Sequence, residues 1–139
     1  MKEKLHFYLT EDVIGILPAR AHNDDAGYDL YTPRNFTLEH DRSYTVDTGV
    51  HVHIPKGYVG FIMSKSGLNV HYDITCTGVI DSGYTGTIRV HLYNDGVNNY
   101  EFHTGDKIAQ IVFLPFYCNT GDSTINEERG NDGFGSTGR

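Results

Sequence analysis

No window of this chain sustains a helical period; its apolar residues alternate in short runs closed by Gly, Asn, Asp or Pro. From Tyr44 to Ile54, the side chains of Val46, Val50, Val52 and Ile54 fall on one side, and Asp47, His51 and His53 on the other, as in a half-buried strand. Leu5 to Leu9 shows the same alternation in Leu5, Phe7 and Leu9. Pro55-Lys56-Gly57 marks a turn, and Tyr58 to Met63, Ile74 to Ile80, Thr87 to Tyr93 and Lys107 to Phe116 are further runs of strand length. Ser66 to Val70 predicts a single helical turn. Sixteen glycines and ten tyrosines fit the same reading, because turns need one and pleated surfaces the other. The expectation is an all-β fold, a barrel or sandwich of jelly-roll type.

The 139 residues suffice for one domain of ordinary size. From Gly121 onward the chain turns polar and glycine-rich, which predicts a barrel domain over residues 1–120 and a flexible C-terminal arm over residues 121–139, outside the core. A formal net charge of −7 argues against general nucleic-acid binding, which needs a basic surface. A small phosphorylated ligand remains open if Lys, Arg or a divalent metal supplies local cation. Met1 to Leu9 is charged and alternating, unlike a secretory signal or membrane span. Cys76 and Cys118 follow no metal-ligand spacing and read as reduced thiols of a cytoplasmic protein, although sequence leaves their pairing open.

The arm holds the densest chemistry. In Arg129-Gly130-Asn131-Asp132-Gly133-Phe134-Gly135-Ser136-Thr137-Gly138-Arg139, the glycines let consecutive N–H groups point at one anion. Arg129 offers a planar fork for phosphate oxygens, and Ser136 and Thr137 offer hydroxyls. Phe134 has no visible core to join. Phosphate donors around one aromatic ring read as a lid over a nucleotide; a disordered tail is the plain alternative. A Walker loop is a poorer match, because the segment lacks the lysine and the chain for a following helix.

Five blocks in order now carry a resemblance: Asp25-Ala26-Gly27-Tyr28-Asp29-Leu30, Ser64-Lys65-Ser66-Gly67-Leu68, Gly78-Val79-Ile80-Asp81-Ser82-Gly83-Tyr84-Thr85-Gly86, Gly105-Asp106-Lys107-Ile108-Ala109-Gln110, and the arm. The chain resembles the homotrimeric dUTP pyrophosphatases (dUTPases). The resemblance implies a jelly-roll-like β-barrel, a homotrimer with three shared active sites, and Mg²⁺-dependent hydrolysis of dUTP to dUMP and pyrophosphate. Each arm is then expected to close over a site built mainly by neighbouring subunits.

The chemistry of each block fits that role. Asp81 ends an apolar run before a Gly-containing turn, where a carboxylate can be held rigidly; by resemblance it is the general base that takes a proton from the attacking water. A turn Asp bonding its own backbone is the alternative. Tyr84, by resemblance, packs flat on deoxyribose and refuses a ribose hydroxyl. A hairpin about Ile74 to Gly78 is the candidate reader of uracil, and the resemblance implies substrate contacts at Gly78 and Ile80. Ser66, Gly67 and Gln110 are candidate phosphate donors. Lys65 departs from the family's usual Arg, keeping the charge and losing the bidentate fork. Asp29 is expected near the water shell of Mg²⁺, a metal that binds through substrate phosphates and retains most of its waters. In the arm, the resemblance implies that Phe134 stacks on uracil, that Arg129, Ser136 and Thr137 hold the β- and γ-phosphates, and that Gly135 also contacts substrate.

Two alternatives share the fold. A dCTP deaminase would place a catalytic Glu near the third block, yet no Glu lies between Glu39 and Glu101. A nucleotide-responsive regulatory protein would keep every block and add a protein partner. His51 and His53 read as solvent-facing strand residues, and Asn23-Asp24-Asp25 lacks the terminal Glu of a calcium loop.

Overall fold

The computed structural model describes residues 3–117, which form eleven strands and one helix. In chain order these are β1 (His6–Tyr8), β2 (Gly27–Tyr31), β3 (Phe36–Leu38), β4 (Arg42–Asp47), β5 (His51–His53), β6 (Tyr58–Met63), α1 (Ser66–Tyr72), β7 (Ile74–Thr75), β8 (Thr77–Ile80), β9 (Arg89–Asn94), β10 (Tyr100–Phe102) and β11 (Lys107–Pro115). A four-stranded sheet runs β2-β11-β6-β8 and a three-stranded one β4-β9-β7, with the pairs β1-β5 and β10-β3 beside them. Every pairing among these strands is antiparallel. Alternation decides what is buried. In β9 the inward Val90, Leu92 and Asn94 are fully buried, whereas Arg89, His91 and Tyr93 point outward. Val90 and Leu92 join Leu30, Ile62, Ile108 and Ile111 of the larger sheet in one core.

Three expectations are corrected by backbone chemistry. The run Tyr44 to Ile54 is two strands with different partners, β4 on β9 and β5 on β1. Between them Asp47 accepts the Gly49 N–H at 2.9 Å, and Gly49 takes φ 70°, so the chain kinks and re-enters the core at Val50. Thr48 fixes the kink: its hydroxyl donates to the Ile88 carbonyl at 2.7 Å and accepts the Val50 N–H at 3.2 Å. A Cβ on Gly49 would enter the left-handed region and strike the Ile14 carbonyl. Gly49→Ala should therefore cost at least about 2 kcal/mol of stability, read as a lowered denaturation midpoint in urea.

The segment Ile74 to Ile80 likewise divides. β7 pairs with β9 and β8 with β6, so the expected hairpin at Ile74–Gly78 is instead a crossing from one sheet to the other. Cys76, at the crossing, has both its backbone groups met by one side chain: Ser64 Oγ accepts its N–H at 3.0 Å and donates to its carbonyl at 3.1 Å. The Cys76 thiol is free and buried; burial pushes its pKa up to about 11, against a smaller opposing pull from the Ser64 hydrogen bond. Cys118 lies outside the described residues.

Finally, α1 runs two turns rather than one. It ends where Asp73 adopts the left-handed conformation and donates its N–H to the Asn69 carbonyl at 3.1 Å. Only Leu68 of this helix is buried, so it has no apolar stripe for a sequence pattern to show. No helix of the described residues is long and apolar enough to cross a membrane.

Candidate active site

Strand register assembles the first cluster. Gln110 in β11 sits level with Asp29 in β2 on one side and with Met63, the last residue of β6, on the other. The chain leaving β6 therefore brings Ser64 and Lys65 beside both. Asp29 is almost fully buried, and its carboxylate is held by two ammonium groups: Lys65 Nζ reaches Oδ1 at 2.6 Å and Lys107 Nζ reaches Oδ2 at 3.3 Å. Gln110 donates from Nε2 to the Ser64 carbonyl at 3.0 Å. A cavity of about 330 Å³ opens here, lined by Ala21, Asp25, Ala26, Gly27, Asp29, Lys65, Lys107 and Gln110. Asp25 is itself fixed by the His22 N–H at 3.0 Å.

Asp29, Lys65 and Gln110 were singled out by sequence; Lys107 and Asp25 were not. In a regular strand Lys107 and Gln110, three residues apart, point to opposite faces. The ladder shifts register between Lys107 and Ala109, which leaves Ile108 and Ala109 both fully buried and Lys107 on the cavity side. Asp25 belongs to the first block, but its fixing by the His22 N–H is not visible in a motif. Ser66 and Gly67 follow Lys65 directly and open α1, both exposed. The first N–H groups of a helix have no intrahelical acceptor, so they face outward as anion donors.

The second cluster is the third block. Gly78 and Ile80 lie in β8, the outer strand of its sheet, level with Ile62 and Gly60. Asp81 follows at the end of that strand, exposed. A turn closes as the Tyr84 N–H donates to the Asp81 carbonyl at 3.1 Å. Tyr84 is half-buried against the core, and its hydroxyl donates to the Thr87 carbonyl at 2.8 Å. Its ring lies across Gly86, where a Cβ would come within 2.7 Å of the ring carbon bearing the hydroxyl. Glycine at position 86 thus makes room for the ring.

Within the chain the two clusters stay apart. Thr77 is level with Met63 and hence with Gln110, whereas Asp81 lies four residues further along, about 13 Å in the strand direction. Arg129, Phe134, Gly135, Ser136 and Thr137 lie outside the described residues. His51 and His53 do face outward, but with partners: His51 Nδ1 meets the Thr85 carbonyl at 2.9 Å and His53 Nε2 meets Glu3 at 3.2 Å. No group of three or more His, Cys, Asp or Glu among the described residues is arranged to hold a metal.

Known proteins match this arrangement over nearly the whole chain. The dUTPase family model matches residues 15–138. The deoxyuridine 5'-triphosphate nucleotidohydrolase of Mycobacterium avium is 44% identical over 134 residues, covering 88% of this chain and 87% of that protein. Among solved structures, a variant dUTPase from phage phi11 of Staphylococcus aureus, described as coordinating a structural Mg(II) ion, superposes with a TM-score of 0.78 at 27% identity, over 91% of this chain and 99% of that one. The dUTPase of Staphylococcus bacteriophage 80alpha gives 0.77 at 27% identity, over 89% and 97%. It is described among phage dUTPases that control transfer of virulence genes by a proto-oncogenic G protein-like mechanism. The fold is accordingly a jelly-roll-like β-barrel, and the chain belongs to the dUTPase family.

Proposed function

We infer that this protein is a dUTP pyrophosphatase, cleaving dUTP with water to dUMP and pyrophosphate. The observation that carries this is the family match over residues 15–138, which takes in the first four blocks whole and the arm through Gly138. The geometry supports roles for its residues. Asp81, at the end of a paired strand and the head of a closed turn, orients the water and accepts its proton during in-line attack at the α-phosphorus. Tyr84, braced by Thr87 and Gly86, presents a fixed ring to the sugar. The outer edge of β8, with Gly78 and Ile80, offers backbone donors and acceptors to uracil as a further strand would meet them. That edge replaces the hairpin expected from sequence.

Lys65, Ser66, Gly67 and Gln110 form the phosphate end, and the arm supplies Phe134 to the base with Arg129, Gly135, Ser136 and Thr137 to the phosphates. The separation of about 13 Å between Asp81 and the Gln110 level within one chain supports a homotrimer whose sites are shared between subunits. For Mg²⁺ the donor set fits an outer-sphere contact: both Asp29 oxygens already meet lysines, yet each retains a lone pair for a metal-bound water. When bound, Mg²⁺ would neutralise charge on the phosphates. The free Cys76 thiol supports a reducing, intracellular setting.

Pyrophosphate release across dUTP, UTP, dCTP, dTTP, dATP and dGTP tests the activity. Release from dUTP alone, with no ammonia from dCTP, is expected. Equal rates on several deoxynucleotides would reject the assignment. A second reading is favoured by the description of the 80alpha relative, that of a nucleotide-responsive regulator using the same site. It requires a protein partner whose capture changes with a non-hydrolysable dUTP analogue.

A further inference from the structure

Outside both clusters, one side chain reaches into the third block. Thr85 follows Tyr84 in the loop between β8 and β9, strands that pair with β6 and with β4 and β7 respectively, so no shared ladder holds this loop. His51, in β5, meets the Thr85 carbonyl through Nδ1 at 2.9 Å. A carbonyl can only accept, so Nδ1 carries the proton, and the imidazole is the donor in either charge state. The ring is not left to find that position by chance. Tyr8 of β1 stacks on it, with ring centroids 4.9 Å apart and planes 11° from parallel. Its backbone neighbour Val50 accepts the Ile88 N–H at 2.7 Å, clamping the far end of the same loop.

We propose that His51 is a positioning residue, holding the loop that carries Asp81 and Tyr84 in register with the site; this rests on the dUTP-hydrolysing reading above. The Tyr84 hydroxyl fastens the loop to itself, through Thr87, whereas His51 fastens it to the barrel at the peptide between Thr85 and Gly86. Without that fastening the ring of Tyr84 loses a fixed height over the sugar, and the Asp81 carboxylate loses its fixed aim.

The test compares wild type, His51→Ala and His51→Asn by kinetics on dUTP and UTP, thermal melting and amide hydrogen exchange. Asparagine places an amide N–H where Nδ1–H stood. His51→Ala should lower kcat/KM for dUTP about threefold to tenfold and narrow the preference for dUTP over UTP, with the melting midpoint nearly unmoved. Exchange at Thr85 to Thr87 should quicken, and His51→Asn should restore both kinetics and exchange. Unchanged kinetics in His51→Ala would overturn the assignment, as would a loss that follows lowered stability with the dUTP-to-UTP ratio intact. A wild-type protein with no turnover of dUTP would overturn the underlying activity instead, and the exchange comparison would still decide the clamp.

Discussion

Asp81→Asn should lose turnover of dUTP by about 10²–10⁴-fold while keeping nucleotide affinity. Asparagine has nearly the same shape but cannot accept the proton that leaves the attacking water. The turn that presents the residue is closed through the Asp81 backbone carbonyl, so the substitution leaves the turn intact. The side chain is exposed and carries no part of the core, so the barrel should still fold. Single-turnover rates on dUTP, with calorimetric titration of a non-hydrolysable analogue, separate the two quantities. Wild-type rates in the variant would remove Asp81 from the base role.

Truncation after Thr120 should leave the barrel folded and reduce kcat/KM by at least about 10²-fold. Among the described residues, the buried core runs from Leu30 to Ile111 and so lies wholly ahead of the cut. Under the proposed roles the loss would be chemical: a ring for the base, where stacking contributes about 1–3 kcal/mol, together with the charged and hydroxyl donors to phosphate. Circular dichroism and size-exclusion chromatography would report the fold, and pyrophosphate release the activity. An unfolded truncation product would show that the assignment of residues 121–139 to a separate arm is wrong.

How far the sequence was legible depends on the range of the interactions involved. Period-two alternation in Thr87 to Tyr93 predicted β9 closely, because one buried face imposes it directly, and the apolar run Tyr58 to Met63 predicted β6 by its length. The short strands β2, β3 and β10 were missed, having three to five residues each and no long run to announce them. The two breaks, at Gly49 and Cys76, depend on partners distant in the chain: Ile88 for the first, Ser64 for the second. At the candidate site, Asp29, Lys65 and Gln110 were visible as members of ordered blocks. Lys107 was hidden by a register shift that only the paired strand β2 defines. His51 faces outward as expected, but nothing local in the sequence signals its bond to a carbonyl 34 residues away.

Asp25 and Asp29 oppose Lys65 and Lys107 around one cavity, and the four formal charges cancel. On a chain of net charge −7, such a recess gives a polyanion no long-range pull. Selection of the ligand is therefore deferred until it touches the wall, where a lysine can exchange its carboxylate for a phosphoryl oxygen. Approach of a polyanion then runs against the net charge, so added salt should quicken encounter by screening the repulsion, and discrimination falls to shape and short contacts.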